Sequence, residues 1–268
     1  MKVKTIKIYD ALKNKSTLAT KKELKAKLIK NGFILDDDNP DLVIAIGGDG
    51  SFIGMIKDNK YDTSKYYVGI NCGKLGFLQN INPKEIDEFI IKLKKADYSL
   101  EEIAIQETEI ITEAETKIFY AVNEILVRES NLDTVNFRVE VDDEFLEDYY
   151  GDGLLISTST GSTAHGLSFG GAIVYNSFHA MQITPIAPLN STAYRNIVNS
   201  IVLPEKMIIK LTPINGKDDI MISVDGKHFN IDKVKTIKIN CKNKKIKCLR
   251  LNEYHFIKTI NDKFLKWC

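Results

Sequence analysis

The chain has 268 residues, 44% hydrophobic and 27% charged, with a formal net charge of +1. That length suits one large domain or two modest ones around a real core, and the near-zero balance excludes a global field drawing in nucleic acid or a membrane surface. No apolar run approaches the ~20 residues that cross a bilayer, and Cys72, Cys241, Cys248 and Cys268 form no CxxC pair for zinc or redox chemistry.

The first residues alternate charged and apolar side chains. They predict a strand over 3–9 rather than the continuous apolar core of a signal peptide. A cytoplasmic protein with free thiols is therefore expected. A helix follows over 16–30, with Gly32 placed to end it. The run DLVIAI at 41–46 is apolar and rich in β-branched residues, as in a strand buried on both faces of a parallel sheet. A second such strand covers 66–70. Asn82 reads as the N-cap of another helix, with Pro83 at its first position and Glu85 completing a capping box. Strand–helix repetition over 1–97 predicts a doubly wound α/β domain.

From 98 to 246 the rhythm becomes alternating, with strands predicted over 109–112, 118–127, 135–141, 154–157, 207–212 and 220–224. Asp142-Asp143 and Asp225-Gly226 mark turns. An antiparallel β-sandwich is expected. The Lys-rich stretch 233–250 reads as the solvated faces of edge strands, not as a nucleic-acid surface.

Four segments carry chemistry. Gly47-Gly48-Asp49-Gly50 follows the strand ending at Ile46, at the carboxyl edge where open α/β sheets bind ligands. Glycines let backbone N–H groups approach phosphate, and Ser51 is expected to open a helix whose dipole favours anions. A lone carboxylate there repels phosphate unless it takes a proton from an attacking hydroxyl or holds a metal ion; a plain Asp-Gly turn is the alternative. The loop is neither the dehydrogenase GxGxxG fingerprint nor a Walker A sequence with its lysine. Gly73–Phe77 forms a second glycine-bearing loop, in which Phe77 either packs on a bound base or plugs the core. Asn123-Glu124 interrupts an apolar run; an Asn amide matches the edge of adenine, and a bulge or edge position is the alternative. Finally, residues 151–168 run from a strand into a hydroxyl-rich turn and a helix start, suited to sugars and phosphates. Nothing there resembles a nucleophile elbow, and His179, His228 and His255 show no metal-ligand spacing.

Together, in this order and spacing, these segments resemble the NAD kinase family: a GGDG loop, a G-x-LGF loop, an NE pair, and Asp152-Gly153 followed by the hydroxyl-rich stretch from Thr160 to His165. The GGDG element alone is shared with diacylglycerol kinases and phosphofructokinases. The resemblance implies an N-terminal α/β domain, a C-terminal β-sandwich, and a tail over 247–268 returning to the first domain, with NAD bound between the domains. The implied reaction is phosphoryl transfer from ATP, another triphosphate or polyphosphate to the 2′-hydroxyl of the adenosine ribose of NAD. A divalent metal ion, usually Mg²⁺, would neutralise the donor phosphates, and the enzyme would be a homodimer or homotetramer without nucleic-acid or membrane partners.

The resemblance implies Asp49 as base, and Gly47, Gly48 and Gly50 around the donor phosphates. It puts Phe77, Asn123, Glu124, Thr160 and Thr163 at the adenosine half. Asp152, Ala164, His165 and Ser168 fall at the nicotinamide-ribose end. Ala187, Tyr194 and Asp225 complete the site, Tyr194 from a neighbouring subunit. Ser159 and His165 stand where the family usually has Pro and Tyr, so a looser turn and a smaller, titratable ring are expected; Tyr150 replaces a common Arg. The rival readings are a lipid or sugar kinase of the same superfamily and a non-catalytic dinucleotide sensor.

Overall fold

The computed structural model describes residues 3–11, 14–73, 76–79, 81–131, 133–214, 216, 218–251 and 256–266. Lys74 and Leu75 of the second glycine loop, His255 and Cys268 lie outside them. The described chain divides into two compact units, Met1–Ile103 with Lys245–Cys268, and Ala104–Lys244. Among the described residues no helix is long and apolar enough to cross a membrane.

The first unit is α/β. Its elements are β1 (Thr5–Tyr9), α1 (Lys15–Lys30), β2 (Ile34–Leu35), β3 (Leu42–Gly47), α2 (Asp49–Asp58), β4 (Tyr66–Asn71) and α3 (Ile86–Lys95). β1 pairs in parallel with β2 and β3, and β3 with β4. Every residue of β3 and of β4 is buried, as a strand covered on both faces requires. Leu24 and Leu28 of α1 and Phe89, Ile90 and Leu93 of α3 join Ile44, Ile46, Val68 and Ile70 in one apolar core. α1 begins one residue earlier than expected because Asn14 caps it, exchanging hydrogen bonds with Thr17. The Asn82–Glu85 capping box forms, but it opens a 3₁₀ turn over Pro83–Glu85 before α3 starts.

The second unit is β-rich. Its strands are most of β5 (Ser99–Thr112), β6 (Thr116–Ala121), β7 (Glu124–Glu129), β8 (Val135–Val141), β9 (Glu144–Gly151), β10 (Gly153–Thr158), β11 (Ala180–Ile186), β12 (Ile201–Pro204), β13 (Ile209–Pro213), β14 (Ile220–Val224), β15 (Lys227–Ile231) and most of β16 (Val234–Arg250), with α4 (His165–Ser168) between β10 and β11. One antiparallel set orders as β16, β13, β8, β9, and a six-stranded sheet as β12, β11, β10, β7, β14, β15. Inward residues of both, such as Phe137, Val139, Ile156, Ile183, Ile222 and Ile239, share one apolar core. Asp142-Asp143 and Asp225-Gly226 take positive φ at both positions (50° and 65°, 45° and 80°), the backbone that two-residue hairpin turns demand.

The expected single strand over 118–127 is two. β6 pairs with β5, whereas β7 pairs with β10 and β14, so the chain changes sheets at Val122-Asn123. The polar pair in the apolar run marks that crossing. β16 is long enough to leave the second unit: Ile237 and Ile239 pair with β13, while Lys247 and Cys248 pair in parallel with Tyr66 and Tyr67 of β4. The chain ends with α5 (Phe256–Ile260) and a single π-helical turn over Asn261–Leu265.

Candidate active site

Asp49, not Ser51, is the first residue of α2, and Gly48 is the N-cap with no side chain capping it. The carboxylate therefore sits where the buried strand β3 gives way to a helix. It does not float free among the glycines. Oδ2 accepts the Phe77 N–H at 3.0 Å and Oδ1 accepts the Leu78 N–H at 3.0 Å. Lys263 Nζ stands 3.2 Å from Oδ2. Gly76 permits this: a Cβ there would overlap the Asp49 carboxylate, with its Cγ only 2.9 Å away. Among the described residues, a Cβ built on Gly48 or Gly50 would meet nothing within 4 Å, so the loop leaves room there.

Two residues that the motif reading did not reach hold this loop. Gln79, wholly buried, donates from Nε2 to the Gly48 carbonyl at 2.6 Å. Arg250, also buried, bonds through Nε to Glu101 at 2.6 Å and through a second nitrogen to the Leu78 carbonyl at 2.9 Å. Leu78 is thus fixed on both sides, its N–H on Asp49 and its carbonyl on Arg250. Phe77 is 3% exposed. Its ring packs against Phe256 (5.9 Å between centroids) and Phe264 (5.7 Å), with Lys263 Nζ 4.5 Å above it. The ring thus sits in an aromatic cluster with the tail.

In the second unit the sheet-crossing at Val122-Asn123 is bonded on both polar sides. The Asp225 carboxylate accepts the N–H groups of Val122 (2.9 Å), Asn123 (2.8 Å) and Glu124 (3.3 Å). The Thr158 hydroxyl reaches the Val122 carbonyl at 2.8 Å and the Asn123 carbonyl at 3.2 Å, while the Gly161 N–H donates to that hydroxyl at 3.1 Å. Backbone groups that no strand satisfies are thereby paired. Glu124 is 6% exposed, and its Oε2 is buried with no partner among the described residues. Burial first, and then the Asp225 charge, push its carboxyl up to about 8, against a counter-pull from the His165 N–H.

The hydroxyl-rich stretch forms a 3₁₀ turn over Thr160–Thr163, in which Thr160 and Thr163 are buried, and then the short α4 from His165 to Ser168, both of which are exposed. His165 stacks on Phe169 at 4.7 Å. Ser159 does not loosen the turn, contrary to expectation. Its hydroxyl bonds to the Phe178 carbonyl and lies 3.2 Å from that of Ala180, so it ties the turn to β11. Asp152 donates its N–H to the Ile186 carbonyl at 2.9 Å, which brings it beside Ala187, itself at φ 44°. Tyr194 is 39% exposed and stacks on Tyr150 of its own chain, 4.4 Å between centroids.

The structure therefore gathers Gly47, Gly48, Asp49, Gly50 and Phe77 in the first unit. In the second it joins Asn123, Glu124 and Asp225 through hydrogen bonds, and links Glu124 to His165 beyond the Thr160–Thr163 turn.

Comparison with known proteins matches the chain to one family. Residues 122–251 fit the family model described as the ATP-NAD kinase C-terminal domain. The chain is 36% identical over 272 residues to an NAD kinase of Finegoldia magna, covering 98% of both chains. It is 32% identical to NAD kinase 1 of Bacillus cereus, covering 94% of this chain and 96% of that one. Among solved structures, yeast NADH kinase complexed with NADH superposes with a TM-score of 0.86 at 22% identity, over 100% of this chain and 90% of that one. An NAD kinase from Archaeoglobus fulgidus in complex with ATP gives 0.74 at 19% identity, over 96% of this chain and 99% of that one. At those identities the two structures speak for the fold.

Proposed function

The chain belongs to the NAD kinase family and phosphorylates NAD to NADP, and from that premise we propose how its residues divide the reaction. Asp49 is the base. As the 2′-hydroxyl oxygen of the adenosine ribose attacks the terminal phosphorus of the donor, Asp49 takes the hydroxyl proton, the new P–O bond forms, and the bond to the leaving diphosphate breaks. One observation carries this assignment: a single carboxylate, held by two backbone N–H groups, at the open glycine loop that ends a buried parallel strand. Such a base contributes about 10²–10⁴-fold; positioning and electrostatics supply much of the rest, because the transition state is loose.

Gly47, Gly48 and Gly50 offer backbone N–H groups to the donor, ATP being the first candidate. Asn123, Glu124, Thr160 and Thr163 are assigned to the adenosine half, and Asp152, Ala164, His165 and Ser168 to the nicotinamide ribose, with Ala187, Tyr194 and Asp225 completing the contacts. Glu124 carries its proton through most of the neutral range and so offers a donor as well as an acceptor. Asp225 supports the site by fixing the Asn123-Glu124 backbone.

Among the described residues no group of three His, Cys, Asp or Glu side chains is placed to hold a metal ion. A donor Mg²⁺ takes its ligands chiefly from phosphate and water, with at most one or two protein carboxylates; when bound it would neutralise phosphate charge. We further propose a cytoplasmic homo-oligomer. The test of the reading is NADP formation by the purified chain with ATP, other triphosphates and polyphosphate in turn. NADP from at least one donor supports it; binding of NAD with no turnover on any donor would make the protein a sensor.

A further inference from the structure

Phosphoryl transfer calls for cationic groups at the donor oxygens, and the GGDG loop contains none. The fold brings one from 214 residues away. Lys263, in the last helical turn, places its ammonium 3.2 Å from Asp49 Oδ2 and 4.5 Å over the Phe77 ring. The tail holding it is pinned by the packing of Phe256 and Phe264 on Phe77. The Lys263 side chain is 31% exposed, so its head group is not locked in the core. Among the described residues, a Cβ added on Gly48 or Gly50 meets nothing within 4 Å.

We propose that Lys263 is the donor-phosphate lysine of this enzyme, resting on Asp49 until the donor arrives. The inference rests on the reading of Asp49 as base in a donor-binding loop. A lysine suits the exchange: a compact charge on a four-carbon stem, with three donors that turn to meet phosphate oxygens. A triphosphate presents several negative charges to the one on Asp49, and charge of that size draws the ammonium across. The transfer does two things at once. It neutralises the donor where charge moves, and it clears one acceptor position on Asp49 Oδ2 for the ribose hydroxyl. Without Lys263, the Asp49 carboxylate, still held by its two backbone N–H bonds, repels the donor it stands beside.

The test is Lys263→Gln and Lys263→Arg in the full chain, read as separate KM values for ATP and NAD, with calorimetric titration of a non-hydrolysable ATP analogue in the presence of Mg²⁺. The proposal expects the Gln variant to raise the donor KM and the analogue Kd by about 10-fold or more, a 1.4 kcal/mol effect. The NAD KM should stay within about 2-fold, and Arg should recover most of the loss because it keeps the charge. Thermal melts confirm that both variants fold; should the Gln variant melt early, Lys263→Met, which keeps the aliphatic stem over Phe77, takes its place. Donor KM and analogue Kd unchanged in a folded, uncharged variant would overturn the proposal and leave Lys263 as an ion pair only. A wild-type chain that makes no NADP would defeat the kinase reading instead, and the analogue titration would still decide Lys263 alone.

Discussion

Gln79 occupies the space that Gly69 leaves open: a Cβ on Gly69 would overlap the Gln79 side chain, standing 2.9 Å from its Cβ. Gly69 lies within β4, where glycine ordinarily weakens a strand, and the gap admits the amide that holds the Gly48 carbonyl.

Gly69→Ala should therefore cost about 1–3 kcal/mol of stability, the usual penalty of overpacking a core, and lower turnover through the displaced glycine loop. Gln79→Ala should relieve the clash, so the double variant should be more stable than the sum of the single losses. Chemical denaturation of all four proteins gives the coupling energy; strict additivity would mean that the two side chains do not compete for one space.

Glu124 predicts a pH dependence. Its carboxyl titrates near 8 in the folded chain, against an ordinary value of 4.5. Below pH 4.5 both folded and unfolded chains hold the proton. Between 4.5 and about 8 the folded chain keeps a proton that the unfolded chain has lost, so this group's contribution to stability falls as pH rises through that window. Glu124→Gln removes the titration. Its loss of stability between pH 5 and pH 8 should be smaller than that of the wild type by on the order of a few kcal/mol. Parallel stability profiles for the two proteins would contradict the assignment.

Much of this site was legible in the sequence because it is local. A buried strand followed by GGDG, the Asn82 cap and the Asp225-Gly226 turn each rest on neighbours within a few residues, where periodicity and turn chemistry act. The unread parts are pairings across the chain. Nothing in the spacing of Asp49 and Lys263 announces an ion pair, and nothing in the sequence marks Gln79 as the partner of the Gly48 carbonyl. Asp225 was expected as a site contact from family resemblance alone, but its visible work is to accept three backbone N–H groups at the sheet crossing. Ser159 seemed a weakness because it replaces Pro; a hydroxyl bonds where a Pro ring has nothing to offer, and only the neighbouring strand reveals the partners. The α/β and β-rich fold class was legible because alternation and strand–helix repetition are properties of segments, not of contacts.

Asn123 bears on adenosine binding. Its backbone is fixed by Asp225 and Thr158, so truncation of the side chain should leave the crossing intact. Asn123→Ala should weaken NAD binding by roughly 1–3 kcal/mol, as expected when a polar partner is left unmet. Calorimetry on a variant with wild-type melting behaviour checks this, and unchanged affinity would remove Asn123 from the adenosine contacts.

Tyr194 tests assembly. Its ring packs at a tilt against Tyr150 and the residue remains 39% exposed, so it is available to a second subunit. If each subunit lends this ring to its partner, mixing Tyr194→Ala with Asp49→Asn chains should create sites with both residues intact, and activity should recover after subunit exchange. No recovery, with exchange verified by light scattering and labelled chains, would confine Tyr194 to its own chain.

The proposed phosphoryl transfer depends most on Asp49. In Asp49→Asn the amide keeps the size of the carboxylate and can accept a backbone N–H bond at one oxygen, but it cannot take the ribose proton. With NAD, ATP and Mg²⁺ saturating, NADP formation should fall by ~10²-fold or more, while the Kd for NAD stays within about 3-fold of wild type, less than the difference that 1 kcal/mol makes. Turnover within a few-fold of the wild type in that same assay would contradict the account, because no other carboxylate lies in the glycine loop to do the work.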